Sequence, residues 1–208
     1  MTLSAENLSK RFNREWIFRN FDYTFQPGQY AIVGPNGSGK STLLQVLWGQ
    51  LPSTAGSVQY TLAGQSVPVE NIYEHIAIVA PYVDLIEELT LTEMINFHFS
   101  FKKLRDPMVL SELMDKMELS HARSKQVGHF SSGMRQRLKL GLALFSDVRL
   151  LFLDEPTMNL DRPSVDWYWK NFRDLPPEIT VFIGSNHESE YPAEATKISL
   201  ADYKTGYK

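Results

Sequence analysis

The sequence predicts an α/β fold with a parallel core sheet, and three observations lead to this fold class. Short apolar runs that suit buried strands alternate with segments whose apolar residues recur at helical spacing. Several of these runs lead directly into polar residues, as buried parallel strands do at their carboxyl ends. The middle of the chain has helical patterns without strands, so we expect a helical segment inserted between the strands of the sheet.

The N-terminal segment predicts antiparallel strands instead. Leu3 to Leu8 and Ile17 to Phe25 have strand patterns, and the second strand ends at the turn Gln26-Pro27-Gly28. We therefore expect an N-terminal antiparallel β subdomain ahead of the core.

Three later apolar runs predict strands of the core sheet: Tyr30 to Val33, Leu150 to Leu153 and Thr180 to Ile183. An amphipathic helix from Lys40 to about Gln50 follows the first of them. This order of strand and helix is typical of α/β units.

The segment from about Leu85 to Leu144 is predicted to form several helices. One is expected to start at Asp106-Pro107, and another to run from Met134 to Phe145. No long linker divides the chain. The prediction is therefore one domain over residues 1–208, with a small helical subdomain at about 85–135 inserted in it.

Composition excludes several classes of protein. The 208 residues are 43% hydrophobic and 22% charged, and the net charge of -3 gives no reason to expect bulk attraction to nucleic acid. The absence of cysteine excludes disulfides and thiolate metal sites. No signal-peptide pattern and no run of about 18 apolar residues is present. We therefore expect a cytoplasmic location, with any membrane association made through a partner.

A glycine-rich segment between the first core strand and its helix matches the pattern G-x-x-x-x-G-K-[ST]. Its glycines let backbone N–H groups approach phosphate oxygens, and the helix directs its positive end at the same anion. Lys40 can reach the β- and γ-phosphates, and the Ser41 hydroxyl can bind Mg²⁺. The alternative is a chance glycine-rich turn. The predicted nucleotide-binding residues are Gly34, Pro35, Asn36, Gly37, Ser38, Gly39, Lys40, Ser41 and Thr42.

Two acidic residues, Asp154 and Glu155, end the second core strand. One acid at this place can hold Mg²⁺, and a second can orient and deprotonate the attacking water. Taken alone, such a pair is more often solvated surface. The segment that follows, Pro156 to Asp161, favours the catalytic interpretation.

The order of these motifs resembles the ABC ATPase family over nearly the whole chain. Leu150 to Thr157 resembles the family's Walker B segment, and Asn159 to Asp161 resembles its D-loop. The resemblance implies a P-loop NTPase fold with a RecA-like parallel core sheet, and ATP and Mg²⁺ as ligands. It assigns Asp154 and Ser41 to the metal, Glu155 to the general base and Asp161 to the D-loop.

Phe130 to Arg137 occupies the place of the family's signature motif, usually Leu-Ser-Gly-Gly-Gln. In the family this segment contacts the γ-phosphate held by the opposite subunit of a dimer. The resemblance gives that role to Ser131, Ser132 and Gly133, while Ser132 and Met134 depart from the usual Gly and Gln. The alternative is an ordinary helix N-cap.

His187, after the strand Thr180 to Ile183, resembles the family's switch histidine, which contacts the γ-phosphate. The alternative for His187 is a surface residue. That interpretation applies to the four remaining histidines, His75, His98, His121 and His129.

Tyr82 stands where the family has a glutamine that joins the magnesium site and relays the bound state to the membrane partner. A tyrosine is bulkier, more rigid and a poor magnesium ligand. Either Tyr82 relays through a different contact, or hydrolysis is slow or weakly coupled. Misalignment by a few residues is a further alternative.

Aromatic residues supply the remaining candidates. Phe12 resembles the family's adenine-stacking residue, with Trp16 as the second choice and a plain strand-end aromatic as the alternative. The stretch from Met94 to Phe101 either receives the membrane subunit or packs in the core. Trp167, Tyr168 and Trp169 are predicted to pack in a helix (all three in one short run).

The resemblance implies an ATPase that pairs with a second ABC ATPase subunit, as a homodimer or with a close relative. It would power transport by a separately encoded membrane subunit at the inner face of the cell membrane. Two alternatives are a soluble ABC-type ATPase without a transport role and a nucleotide sensor with weak hydrolysis. No direct nucleic-acid partner is expected.

Overall fold

A computed structural model describes residues 1–203, which divide into two compact units. Residues 1–76, 149–155 and 177–203 belong to the first unit, and residues 77–148 and 156–176 to the second. The predicted helical subdomain at 85–135 falls wholly within the second unit. Residues 204–208 of the predicted domain lie outside the described range.

The structure contains nine strands and five α-helices within the described residues. The strands are β1 (Thr2–Phe12), β2 (Glu15–Phe25), β3 (Gly28–Val33), β4 (Ala55–Leu62), β5 (Gln65–Val67), β6 (Ile76–Val79), β7 (Leu150–Asp154), β8 (Thr180–Gly184) and β9 (Thr196–Ser199). The helices are α1 (Lys40–Leu47), α2 (Leu91–Phe101), α3 (Leu110–Lys116), α4 (Ser132–Leu144) and α5 (Arg162–Arg173). Short 3₁₀ turns cover Val69–Glu74, Ser120–Ala122, Val127–His129, Glu188–Glu190 and Leu200–Tyr203.

An antiparallel sheet in the order β2-β1-β4-β5 confirms the predicted N-terminal β subdomain. Leu3 pairs with Phe25 and Leu8 with Phe21, and all four side chains are fully buried. β1 extends well beyond the predicted Leu3 to Leu8. Beyond Leu8 the strand carries the buried polar residues Ser9 and Lys10 and then the exposed Arg11 and Phe12, so hydrophobic alternation did not mark it.

Four parallel strands of the first unit, in the order β7-β8-β3-β9, confirm the predicted parallel core. The three predicted core strands are direct neighbours, and Phe152 and Phe182 stack with ring centroids 4.6 Å apart. The fourth strand, β9, is short and half-exposed, so its sequence has no apolar run. Because β3, β7 and β8 are parallel, the loops after them leave from one edge of the sheet.

Within the predicted helical segment from about Leu85 to Leu144 the structure has the helices α2, α3 and α4 and no named strand, as predicted. α4 agrees closely with the predicted helix from Met134 to Phe145. The predicted start at Asp106-Pro107 is wrong, because α3 begins at Leu110. There the carboxylate of Glu112 accepts a hydrogen bond from the Val109 backbone N–H at 3.0 Å and caps the helix.

The three aromatic residues of α5 pack as predicted. Trp167 and Tyr168 are buried, and Trp169 is partly exposed. The indole N–H of Trp167 donates to the carbonyl of Lys116 at 2.7 Å, which ties α5 to the end of α3. These side chains therefore stabilise the second unit and form no open aromatic cage.

His98 contradicts the prediction that it is a surface residue. It lies on the same face of α2 as the buried residues Leu91, Met94 and Ile95, because helical spacing places positions 91, 94, 95 and 98 together. Its Nε2 is 2.9 Å from the hydroxyl oxygen of Ser146. That hydroxyl donates its only hydrogen to a backbone carbonyl, so the histidine Nε2–H is the donor to Ser146.

Protonation of His98 is disfavoured in the folded protein. Burial, the largest cause, lowers the pKa of His98 to about 4, and the positive charge of Lys102 acts in the same direction. A hydrogen bond to the backbone of Leu142 opposes the shift. The folded chain therefore takes up this proton at a lower pH than the unfolded chain, whose histidine has a pKa of about 6.5.

We expect the free energy of unfolding to fall as the pH is lowered from 6.5 towards 4. In this window the unfolded chain binds a proton that the folded chain excludes, which costs up to about 1.4 kcal/mol per pH unit. Urea unfolding at pH 7 and pH 5 measures the loss for wild type and for His98→Gln, where it should be smaller. The exposed His129 supplies the control His129→Gln, and equal losses in all three proteins would contradict the assignment.

None of the helices within residues 1–203 combines the length and apolar character of a membrane span.

Candidate functional site

The ends of three strands of the first unit, β3, β7 and β8, lie side by side at the carboxyl edge of the parallel sheet. Gly184, the last residue of β8, pairs with Ile32 in β3 on one side and with Asp154 in β7 on the other. Backbone hydrogen bonds continue this register, from Ser185 N–H to the Ile32 carbonyl at 3.3 Å and from Glu155 N–H to the Gly184 carbonyl at 2.9 Å. The predicted phosphate loop, carboxylate pair and histidine therefore start from three adjacent strands.

The phosphate loop is a tight turn between β3 and α1. The Ser38 N–H donates to the Pro35 carbonyl at 3.1 Å. Gly39 has φ 103, and a Cβ there would lie 2.3 Å from Cγ2 of Ile17, so a side chain is excluded on conformational and steric grounds. The turn brings backbone N–H groups to the amino end of α1, where an anion is favoured.

Polar side chains of this loop are buried in a way that suits a phosphate ligand. Lys40 is buried, and its ammonium donates to the carbonyls of Gly34 at 3.0 Å and Pro35 at 3.3 Å. The buried hydroxyl oxygen of Ser38 has no hydrogen-bond partner among residues 1–203. Buried polar groups normally have partners. The loop therefore offers a cation and a hydroxyl group to an incoming anion.

The other predicted nucleotide-binding residues lie on the same continuous segment. Pro35, Asn36 and Gly37 are exposed at the tip of the loop, and Ser41 and Thr42 are partly exposed in the first turn of α1. These positions leave the hydroxyl of Ser41 beside the loop rather than in the core.

The two carboxylates differ in their surroundings. Asp154 is buried at the end of β7, next to Gly184 of β8. A Cβ at Gly184 would lie 2.8 Å from Oδ1 of Asp154 and 2.8 Å from Cδ1 of Leu44, so glycine makes room for this carboxylate. Glu155 is partly exposed and has φ 50, a left-handed conformation that costs a non-glycine residue about 1–3 kcal/mol. Such strain is concentrated at functional sites.

The donor set fits a magnesium ion that is shared with phosphate oxygens. Mg²⁺ favours hydroxyl, carboxylate and water oxygens, and it commonly takes only one or two ligands from the protein. Ser41 and Asp154 provide such oxygens in the first unit. No group of three or more histidine and acidic side chains forms a complete metal site within the described residues.

The predicted switch histidine is exposed after β8, and its loop contacts the phosphate loop. The side-chain amide of Asn186 donates to Oδ1 of Asn36 at 3.1 Å. This bond places the residue before His187 against the tip of the phosphate loop. The first unit thus gathers Lys40, Asp154, Glu155 and His187 around one edge of the sheet.

Phe12 ends β1 with an exposed ring that lies under the Lys10 ammonium, 4.9 Å from the ring centroid. The second choice, Trp16, already contacts two guanidinium groups, from Arg11 at 5.0 Å and Arg19 at 4.7 Å. Both rings contact cations, but Phe12 is exposed whereas Trp16 is only partly exposed, so Phe12 remains the first candidate for stacking on a base.

The predicted signature and D-loop residues lie together in the second unit. Ser131 caps α4 and accepts a hydrogen bond from the Met134 N–H at 3.2 Å. A Cβ at Gly133 would lie 3.3 Å from the carbonyl of Asn159, so α4 closely approaches the segment predicted to be the D-loop. The predicted signature and D-loop residues border a cavity of about 390 Å³. Its lining residues are Glu118, Leu119, His121, Ser131, Ser132, Gly133, Met134, Arg137, Asn159, Asp161 and Ser164.

Hydrogen bonds fix the D-loop at the start of α5. Oδ1 of Asp161 accepts from the Ser164 N–H at 3.1 Å and caps the helix. The Ser164 side chain and then its backbone N–H lower the pKa of Asp161, so the carboxylate stays charged. Arg137 of α4 contacts both Ser164 and Glu118. Arg137 thus joins α4 to α5 through a side-chain hydrogen bond to Ser164.

Tyr82 follows β6 on an exposed turn of the second unit, in which the Val83 N–H donates to the Ala80 carbonyl at 3.2 Å. On α2 the side chains of Phe97 and Phe101 are 45% and 65% exposed, and their rings meet edge to face at 5.3 Å. Core packing therefore does not account for these two phenylalanines, although Phe99 is only partly exposed.

Several residues of this site were not predicted from the sequence. Ser185 and Glu190 are buried on either side of His187, and Arg137 joins two helices. Gly184, which makes room for Asp154, was likewise missed. These four residue types are common in loops and helices. Only their burial and their hydrogen-bond partners in the folded chain distinguish these positions from other residues of the same type. The place of His187 in the order of motifs was the one sequence feature that marked this loop, and so the neighbours of His187, as functional.

The chain is similar in sequence to known proteins along most of its length. The model of the family described as ABC transporter matches residues 18–158. Nod factor export ATP-binding protein I of Burkholderia lata is 30% identical over 179 residues, which cover 83% of this chain and 58% of that protein. Lantibiotic transport ATP-binding protein SrtF of Streptococcus pyogenes is 30% identical over 195 residues, which cover 90% of this chain and 81% of the relative.

A solved structure supports the same fold. An ABC transporter ATP-binding protein from Pyrococcus furiosus superposes with a TM-score of 0.79 at 22% identity, covering 99% of this chain and all of that chain. At this identity the superposition establishes the fold alone. The chain spans little more than half the length of the Burkholderia relative.

Proposed function

Because this chain belongs to the ABC transporter family, we propose that it binds and hydrolyses ATP to power transport by a separate membrane-spanning subunit. One observation carries the proposal. The phosphate loop, the carboxylates Asp154 and Glu155, and His187 follow three adjacent parallel strands and open at the same edge. The family gives ATP as the ligand, and the chemistry of this edge suits its phosphates.

Binding would depend on the phosphate loop. Its backbone N–H groups and the amino end of α1 receive the phosphate chain, and Lys40 transfers its hydrogen bonds from loop carbonyls to phosphate oxygens. Phe12 would stack on the adenine ring. Ser41 and Asp154 would hold Mg²⁺, which supplies positive charge to the phosphate oxygens when bound.

Hydrolysis would depend on Glu155 and His187. Glu155 is partly exposed at the end of β7, where its carboxylate can accept the proton of the attacking water. The strained backbone of Glu155 is held by the hydrogen bond from its N–H to Gly184, which fixes where the side chain begins. His187 would contact the γ-phosphate and report its presence to the rest of the chain.

We further propose a head-to-tail pair, formed by two copies of this chain or by this chain and a close relative. In such a pair the signature segment of one subunit covers the ATP of the other. Ser131, Ser132 and Gly133 border a cavity of the second unit, and they lie at the amino end of α4, where negative charge is favoured. ATP binding would then close the pair, and hydrolysis would open it.

The exposed rings of Phe97 and Phe101 support a membrane partner. Large exposed aromatic residues are enriched at protein interfaces, and these two form one edge-to-face pair on α2. The partner would hold the chain at the inner face of the cell membrane. The transported substance would be determined by that partner.

Affinity purification of the tagged chain from detergent-solubilised native membranes tests the transport role. We expect a multi-span membrane protein in stoichiometric amount, and we expect its recovery to fall for a Phe97→Ser, Phe101→Ser double variant that still hydrolyses ATP. Recovery of the chain alone, or with soluble proteins only, would refute the transport role while leaving the ATPase proposal in place.

A nucleotide sensor with weak hydrolysis is the second candidate. The exposed Tyr82 in place of the family's glutamine and Met134 in the signature segment favour it. The absence of Mg-ATP turnover even with the membrane partner present would support this candidate, whereas partner-stimulated turnover would exclude it.

A further inference from the structure

The loop that carries His187 is bounded by two buried polar residues. Ser185 is 0% exposed and Glu190 is 4% exposed, whereas the four residues between them are exposed. Burial of a carboxylate is costly unless hydrogen bonds compensate for the lost water. Glu190 is therefore a buried acidic residue that needs hydrogen-bond partners, and it lies three positions after the predicted switch histidine.

Ser185 and Glu190 hydrogen-bond to each other. The hydroxyl of Ser185 donates to Oε2 of Glu190 in a short contact. A second acceptor, the His187 carbonyl, lies 3.3 Å from the same hydroxyl. The carboxylate is closer and is the stronger acceptor, so it takes the single hydroxyl hydrogen.

This pair holds the backbone on both sides of His187. The His187 N–H donates to the hydroxyl oxygen of Ser185 at 2.9 Å. The His187 carbonyl accepts from the Glu190 N–H at 3.1 Å. Ser185 is itself fixed to the sheet, because its N–H donates to the Ile32 carbonyl at 3.3 Å. A chain of hydrogen bonds thus connects the core sheet, Ser185, Glu190 and the backbone of His187.

We propose that Glu190 is a positioning residue, which acts through Ser185 to hold His187 in place for the γ-phosphate in the phosphate loop. The inference rests on the proposed ATPase function. Without the carboxylate, the Ser185 hydroxyl is free to rotate towards the His187 carbonyl, and the exposed segment loses its fixed geometry. A displacement of about 1 Å at a reacting group can cost about 100-fold in rate.

Steady-state ATP hydrolysis by Glu190→Ala tests the proposal. We expect kcat to fall about 10- to 100-fold while KM for ATP changes less than about threefold, because the phosphate loop is intact. Glu190→Gln keeps an acceptor oxygen for Ser185 and should recover most of the activity. Glu188→Gln is the matched control, because Glu188 is an exposed carboxylate that pairs with Lys197, and its activity should equal wild type.

A double variant separates positioning from general loss of stability. If Glu190 acts through His187, adding Glu190→Ala to His187→Ala should slow turnover no further, because the two changes remove the same contribution. A full additional loss in the double variant would overturn the proposal. If wild type shows no turnover even with its membrane partner present, or if His187→Ala matches wild type, the proposed function fails instead.

Hydrogen exchange gives a readout that needs no nucleotide. The His187 amide should exchange about tenfold faster or more in Glu190→Ala and in Ser185→Ala than in Glu188→Gln. Amides of β8 should be unchanged in a variant that remains folded. Unchanged exchange at His187 in a folded Glu190→Ala protein would also overturn the proposal.

Discussion

Glu155→Gln is expected to retain ATP binding while its turnover falls by about 10²- to 10⁴-fold, the usual contribution of a general base. Glutamine has nearly the same size as glutamate but cannot accept the proton of the attacking water. Lys40, Ser41 and Asp154 are unaltered in this variant, so the phosphate contacts remain. Phosphate release measures the turnover, and a fluorescent ATP analogue measures the affinity.

Glu178→Gln is the control for this experiment. Glu178 is an exposed carboxylate just before β8, and so lies at the opposite edge of the sheet from Glu155. Its variant should match wild type in both measurements. Turnover of Glu155→Gln at the wild-type rate would exclude Glu155 as the base, and a parallel loss of ATP affinity would indicate a structural role.

Elements whose sequence patterns lie within one short segment could be predicted from the sequence. The run Tyr30 to Val33 and the glycine-rich segment after it predicted β3, the phosphate loop and α1, because strand burial, turn chemistry and helix periodicity all appear within about 20 residues of one another. The same holds for β7 and β8, which are apolar runs buried on both faces.

Features that depend on tertiary contacts were not predicted. His98 belongs to the apolar face of α2 by helical spacing, but its pairing with Ser146 requires a neighbour 48 positions away. Glu190 appears in the sequence as one acidic residue among several, and its burial against Ser185 is visible only in the folded loop. α3 starts where the Glu112 carboxylate accepts a hydrogen bond from the Val109 N–H. The composition of this segment does not determine which of its carboxylates makes such a bond.

The candidate site depends both on local sequence patterns and on tertiary contacts. The glycine-rich motif and the acid pair are local patterns, and their order along the chain led to the family. The parallel register of β3, β7 and β8 explains why positions far apart in sequence meet, since Gly184 pairs with both Ile32 and Asp154. The supporting residues around His187 then follow from burial and hydrogen bonding rather than from any motif.

Ser131→Asp, placed in a Glu155→Gln background, is expected to prevent ATP-dependent pairing. Glu155→Gln should trap ATP and therefore accumulate the closed pair, which sedimentation velocity can measure. Aspartate at 131 keeps the N-cap of α4, since aspartate and serine cap equally well. In the proposed head-to-tail pair it would also place a negative charge against the γ-phosphate held by the opposite subunit, and such like-charge contacts cost several kcal/mol.

A symmetric pair contains this contact twice, so the dissociation constant of the ATP-bound pair should rise by about 100-fold or more. ATP affinity of the single subunit should be unchanged, because Ser131 does not belong to the phosphate loop of its own chain.

Ser131→Asn in the same background is the matched control, since asparagine has the size and capping ability of aspartate without its charge. Pairing that persists in the aspartate variant would rule out a shared ATP site, and equal loss in both variants would show that side-chain size rather than charge is the cause. A loss of ATP affinity in the single subunit would instead place the signature segment next to its own phosphate loop, and the head-to-tail arrangement would then be wrong.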